Sequence, residues 1–326
     1  MSPAGMQRPA SPHPTPKEAS IPMLYLESFT LPVDLEEDLL RRKAAQNGGP
    51  LGYIDNPYPC GLFARKDLRE VWFRRITIFY GGNGSGKSTL LNLIARKLEL
   101  NRIAPHNSSE MFDDYAANCR YTLGEDDEGF PLRIPNGSRI ITSDDVFDYM
   151  LALRTNNADI AENKLEARGD WAALKYGRTV KLRGMEDYED LRAQVLARRK
   201  SVSRREYIRR TAGEEVIPAS NGETALRYFE DKLKMDTLYC LDEPENSLSP
   251  KLQLQLVELL DEMARCCGCQ FIIATHSPFL LALPGARIYD LDACPAVPRE
   301  WWQLENTRIY FDFFNKHRHL FEDQPE

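Results

Sequence analysis

The chain has 326 residues, enough for one large domain with an insertion or for two modest ones. No run of ~18 or more apolar residues is present, so no transmembrane helix is expected. A formal net charge of −7 argues against a surface coated for nucleic acid. The seven cysteines are odd in number and Cys240 sits in an apolar run, so a reducing, cytoplasmic compartment is expected. Cys266, Cys267 and Cys269 cluster, but no second ligand pair stands at zinc spacing. That cluster reads as a helix end turning into a strand.

Residues 1–22 hold Pro, Ser and Ala without a hydrophobic period and read as a disordered extension, with Met23 a candidate start. A strand is expected over 23–29. Residues 71–80 form one β-branched and aromatic run that ends on a glycine-rich octapeptide. After it, Leu90, Leu91, Ile94 and Leu98 place one apolar face on a helix over 89–98. A short strand at 139–142 leads into a helix beginning over 144–153. From about 150 the chain turns polar, charged and helical in pattern, and a helical subdomain is expected over about 150–235. Strand (238–241), helix (250–264), strand (270–274) and strand (286–291) follow, with a terminal helix over 306–316. Strands alternating with helices predict an α/β fold whose mixed sheet has a parallel centre. Residues 23–326 read as a single domain interrupted by the helical lobe.

Four segments carry chemistry. The first is Gly81-Gly82-Asn83-Gly84-Ser85-Gly86-Lys87-Ser88, which satisfies G-x-x-x-x-G-K-[ST] between a predicted strand and a predicted helix. Glycines let backbone N–H groups converge on phosphate oxygens, and the helix N-terminus adds its dipole. Thr89 follows directly. Lys87 is expected at the β- and γ-phosphates of ATP, and Ser88 on Mg2+. The second is Asp242-Glu243 at the exit of an apolar strand. Asp242 is placed to hold the metal, and Glu243 to orient or deprotonate the attacking water. The third is His276, just after the strand at 271–274, where parallel sheets place their ligands. The fourth is Ser220-Asn221-Gly222-Glu223, which opens a helix and reads either as a phosphate contact or as a plain N-cap.

In order and spacing these segments resemble the ABC-type P-loop ATPases. Walker A falls at 81–88, the signature at Ser220, Gly222 and Glu223, Walker B at 238–243, the D-loop at 246–250 and the switch histidine at His276. The run from Asp242 through Pro244, Glu245 and Asn246 to Pro250 is similar to the soluble branch related to RecF, SMC and OLD-type proteins and to small bacterial ATPases. The resemblance implies ATP and Mg2+ as ligands, ATP hydrolysis, and a head-to-tail homodimer. Each ATP would lie between the P-loop of one subunit and Ser220 and Gly222 of the other. A glutamine is expected where the second strand meets the lobe; Asp144 and Asp145 stand there instead, as candidate substitutes. A transporter nucleotide-binding subunit and an ATP-gated clamp for a partner effector are the alternative readings. Tyr53, Tyr58 and Phe63 are all candidates for stacking on adenine.

One stretch stands apart. Arg192, Arg198, Arg199, Lys200, Arg204, Arg205, Arg209 and Arg210 are set against the single acid Glu206. It reads as a contact for nucleic acid, as a contact for a protein partner or the dimer, or as a solvated face balanced by the acids at 186–190.

Overall fold

Two sheets divide the strands of this chain, and only one of them carries the candidate site. A computed structural model describes residues 24–47, 56–106, 108–179, 184–199, 203–212 and 220–322. The expected extension at 1–22, Met23, Tyr53 and Lys200 lie outside the described residues. In chain order the elements begin with β1 Leu26–Thr30, α1 Asp34–Asn47, β2 Glu70–Trp72, β3 Ile76–Tyr80, α2 Lys87–Lys97, α3 Phe112–Asn118 and β4 Arg120–Leu123. Next come β5 Arg139–Thr142, α4 Ser143–Tyr176, α5 Tyr188–Arg198, α6 Arg204–Ala212, α7 Asn221–Lys232 and β6 Leu238–Asp242. The chain continues with α8 Pro250–Cys266, β7 Gln270–Ala274, α9 Pro278–Leu281, β8 Arg287–Asp290, β9 Pro298–Arg299, α10 Glu305–Lys316 and α11 His319–Glu322.

The larger sheet has the order β5-β6-β7-β3-β8-β9, parallel throughout except for the β8–β9 pair. Its central strands are apolar on both faces, as strands covered on both sides must be. Every residue of β3 and of β7 is buried. Alternate residues feed two cores. Phe79, Cys240 and Ile272 point to one with Leu90, Leu91 and Ile94 of α2. Ile78, Leu241 and Ile273 point to the other with Phe229 of α7 and Leu256 and Leu260 of α8. A three-stranded antiparallel sheet, β2-β1-β4, contributes Leu26, Phe29 and Val71 to the first core. A third, small cluster lies within the lobe: Ala167 of α4, Ala197 of α5 and Tyr207 of α6, flanked by Trp171, Leu174, Leu196 and Ile208.

The mixed sheet with its parallel centre is as expected, and one local reading needs correction. The single run over 71–80 is two strands in two different sheets. Arg74 and Arg75 interrupt it, because neither guanidinium can enter a core, and the chain turns there through a bond from Arg74 N–H to Thr77 Oγ1 (2.9 Å). The helix expected to begin at 144–153 starts at Ser143 and runs unbroken to Tyr176. Helices α1 and α3 and strand β4 were not anticipated. The α1 acid Glu37 is buried (3% exposed) and takes bonds from the Gly61 N–H (2.6 Å) and the Tyr115 hydroxyl (3.0 Å). It thereby pins the loop before β2 to α3.

Candidate nucleotide site

The parallel strands deliver their C-terminal ends to one edge of the sheet, so β3, β6 and β7 bring three separate loops together. The loop after β3 turns into α2 through Gly86, whose φ of 97° is a left-handed conformation that suits glycine. The N-terminus of α2 receives no side-chain cap, which leaves its first N–H groups for a ligand. Inside the loop, Ser85 Oγ is buried without a hydrogen-bond partner among the described residues. Lys87 is 5% exposed, and its ammonium folds back onto the carbonyl oxygens of Gly81 (2.8 Å) and Gly82 (3.1 Å). An uncapped helix start, an unpartnered hydroxyl and a buried cation satisfied only by loop carbonyls suit a phosphate chain. Asp292, beyond β8, accepts the Gly82 N–H at 2.7 Å and so braces the loop from the other side.

Ser88 and Asp242 meet across the strands, with Ser88 Oγ donating to Asp242 Oδ1 at 2.9 Å. Burial pushes the Asp242 carboxyl up to about 6, against the Ser88 hydrogen bond and Lys87, which favour the charged form. A hydroxyl and a carboxylate oxygen are the hard donors Mg2+ takes; its remaining positions would fall to phosphate oxygens and water. Glu243 has φ +49°, uncommon for a residue with a Cβ, and its N–H is held by the Ala274 carbonyl at 2.9 Å. Its carboxylate accepts from Asn246 Nδ2 at 3.1 Å and lies 4.0 Å from His276 Nδ1.

Glu245 was legible in the sequence only as part of a turn, yet it joins two of these loops. It is 6% exposed, and one carboxylate oxygen takes the Thr275 hydroxyl (2.6 Å) and the His276 N–H (3.1 Å). The same oxygen lies 3.7 Å from His276 Nδ1. The acid after β6 therefore sets where the histidine after β7 stands. An acidic residue two places after Glu243, where a turn needs no charge, was the available signal. Arg102 was also missed. It is mostly buried, donates to Asn92 Oδ1, and lies near Asp145 and Asp242.

The other sequence candidates fall at varied distances from this centre. Ser220 caps α7 in a reciprocal capping box: the Glu223 N–H donates to Ser220 Oγ (3.3 Å) and the Ser220 N–H to Glu223 Oε2 (2.8 Å). These bonds hold the Glu223 carboxyl below its ordinary range. Gly222 is buried against the turn after Glu245: a Cβ there would stand 2.6 Å from Leu252 Cδ1 and 3.1 Å from the Ser247 carbonyl oxygen. Asp145 accepts the N–H groups of Ala104 (2.9 Å) and Thr142 (2.7 Å) and the Thr142 hydroxyl (2.9 Å). Its carboxylate is engaged by its own loops, which sets it aside as a replacement for the glutamine; Asp144 is exposed. Phe63 is 1% exposed and belongs to the core, so no face of it is open to an adenine. Tyr58 donates to Thr89 Oγ1 (2.9 Å) and stacks on Phe112.

Much of the basic stretch is engaged within the lobe. Arg198 closes the end of α4 with bonds to Leu174 O (3.3 Å), Gly177 O (2.6 Å) and Thr179 Oγ1 (2.9 Å). Glu206 holds Arg209 (2.9 Å) and Arg210 (2.6 Å), and Arg204 lies over the Trp171 ring. Arg192 pairs loosely with Glu189 (3.6 Å), while Arg205 is exposed. All seven cysteines are free.

A parallel sheet that gathers a glycine loop opening a helix, an acid pair and a histidine at one edge, with a helical lobe between β5 and β6, has the layout of a P-loop nucleotide-binding fold, and its order of motifs resembles that of ABC-type proteins. Residues 222–282 match the family model described as AAA domain, putative AbiEii toxin, Type IV TA system. No curated protein matches the chain. Among solved structures it is similar to a dimeric ATP-binding cassette in a post-hydrolysis state bound to ADP and Pi, at 15% identity over 72% of this chain and 90% of that one (TM-score 0.33). It is also similar to cbiO1 from Clostridium perfringens, part of the ABC transporter complex cbiONQ, at 18% identity over 78% and 92% (TM-score 0.34). A third is the SMC head domain from Thermotoga maritima, at 14% identity over 71% and 92% (TM-score 0.31). No helix among the described residues is long and apolar enough to cross a membrane.

Proposed function

We propose that this chain binds ATP with Mg2+ and hydrolyses it as a head-to-tail homodimer, in a reducing, cytoplasmic compartment. The observation that carries the reading is the bond between Ser88 and Asp242 at the mouth of the glycine loop, with Glu243 and His276 beside it. The N–H groups of Asn83, Gly84, Gly86, Lys87, Ser88 and Thr89 are the donors for the phosphates, Gly82 and Ser85 shape the loop with their own N–H groups engaged by Asp292 and by the Gly82 carbonyl, and the Lys87 ammonium exchanges its loop carbonyls for phosphate oxygens. Ser88 and Asp242 hold Mg2+, which when bound neutralises charge on the transferring phosphoryl group. Glu243 orients the attacking water and takes its proton. His276, held by Glu245, faces the same water. Ser220 and Glu223, at the exposed start of α7, are offered to the nucleotide of the partner subunit, and Gly222, buried beneath them against the Ser247 turn, fixes that helix start in place. In the stretch Arg192–Arg210 on the lobe, the exposed Arg192, Arg199 and Arg205 are the residues offered to nucleic acid or to a partner protein. The toxin–antitoxin description of the matching family model favours a defence system over transport.

Glu243→Gln tests the chemistry, because the amide keeps the shape and loses the base. The expected result is retained ATP binding, turnover lower by at least about 100-fold, and a dimer that accumulates with ATP. Unchanged turnover removes Glu243 from its role. Turnover measured with and without DNA and RNA, at one fixed salt concentration, tests the lobe.

A further inference from the structure

The C-terminal helix leaves the body of the protein and stays bare. Thr307 is the only buried residue of α10. Beyond it, Ile309, Tyr310, Phe311, Phe313 and Phe314 are 47–58% exposed, and Leu320 and Phe321 of α11 are 59% and 68% exposed. The rings form a ladder: Phe313 is 5.5 Å from Phe314 and 4.9 Å from His317, and Phe314 is 6.2 Å from Phe321, centroid to centroid. On a helix of 3.6 residues per turn, Ile309, Tyr310, Phe313, Phe314 and His317 fall on one half of the circumference. With ~150–250 Å² per large aromatic side chain, the half-exposed set amounts to on the order of 700 Å² per subunit, close to one side of a standard interface. A patch of that size marks a contact surface.

The charges select the occupant. One flank of α10 carries Glu305, Arg308, Asp312 and Lys316 in turn. Spacings of three, four and four keep them on one stripe. Their signs alternate so that the stripe complements itself when reversed. In an antiparallel pair, Arg308 faces Asp312 of the partner subunit and Glu305 faces Lys316 of the partner subunit. A two-fold axis makes each pair occur twice. In a parallel two-fold pair the two stripes lie on opposite sides of the seam and do not meet.

We propose that α10 and α11 form an antiparallel, two-fold interface with the same helices of a second copy of this chain, and that this interface needs no nucleotide. It is separate from the ATP-dependent contact proposed above, and each can fail without the other.

Sedimentation of the full chain, free of nucleotide and Mg2+, tests it. The expected wild-type species at low micromolar concentration is a dimer. Phe313→Asp combined with Phe314→Asp is expected to weaken the dimer by at least about thirtyfold. Both rings are half exposed, so the fold is expected to persist, checked by circular dichroism. Arg308→Asp sets like charges across the interface and weakens the dimer; adding Asp312→Arg reverses both members of the pair and restores it. A nucleotide-free wild-type monomer, or a dimer indifferent to the aromatic substitutions, overturns the interface. Failure of Asp312→Arg to rescue Arg308→Asp overturns the antiparallel register. Capture of a different protein by a chain that is monomeric without nucleotide also counts against the proposal.

Discussion

Asp242 holds a charge where the sheet would rather have none. Its carboxyl is mostly buried at the exit of β6, and burial raises its pKa from 3.8 to about 6. The sign follows from linkage: between those two values the folded state binds the proton more tightly than the unfolded one. Stability without ligand therefore falls as pH rises through that window, and the full penalty stands above pH 6. Asp242→Asn keeps an oxygen for Ser88 and removes the charge. The expected outcome at pH 7.5 is a ligand-free protein more stable by roughly 2–3 kcal/mol, with Mg2+-dependent ATP turnover lost. Denaturant unfolding at pH 7.5 and at pH 4 checks this, since the advantage is expected to close at the lower pH. An equal advantage at both would mean that the buried charge is not the cause. Under the proposed function, a bound Mg2+ would offset this penalty. Glu245 is the contrasting case, a buried carboxylate with one oxygen fully engaged by Thr275 and His276.

At the scale of elements, the start of α7 is where helix, turn and site converge. Gly222 lets α7 approach the turn at Ser247 and the side chain of Leu252, at distances no Cβ tolerates without movement. Leu252 can shift, but the Ser247 carbonyl is backbone and moves only with its turn. Gly222→Val is expected to cost about 1–3 kcal/mol through overpacking and to displace the turn that carries Asn246 and Ser247. Urea unfolding measures the cost; a wild-type midpoint would mean that the contact is not tight. The Ser220–Glu223 capping box secures the same helix start with local bonds. Strand β2 teaches a different lesson. Residues 71–80 have the composition of one strand, but two adjacent arginines require a break, and the halves join different sheets.

Over the whole molecule, the six-stranded sheet is clamped between two large cores, whereas among the described residues the lobe's own apolar cluster is small, centred on Ala167, Ala197 and Tyr207. Such a lobe opens at lower free energy than the sheet. Tyr207→Ala empties the centre of its cluster, and faster amide exchange is expected in α5 and α6, with β3, β6 and β7 unchanged. Equal loss of protection in the sheet would show that lobe and sheet unfold as one unit.

The sequence by itself determined the elements whose signals are local. The glycine loop, the strands at 139–142, 238–241 and 270–274, and the acids and histidine at strand exits are all written in short runs of residue type. For the same reason, Lys87, Ser88, Asp242, Glu243 and His276 were legible as candidates. The tertiary structure alone decided the rest. It set β2 and β3 in different sheets, engaged Asp145 with the loops around it, buried Phe63, tied Arg198 to the end of α4, and put Glu245 under a histidine 31 residues away. A side chain's hydrogen-bond partners are chosen by which loops the sheet brings together. That choice depends on the packing of distant apolar surfaces, and no short stretch of sequence contains it.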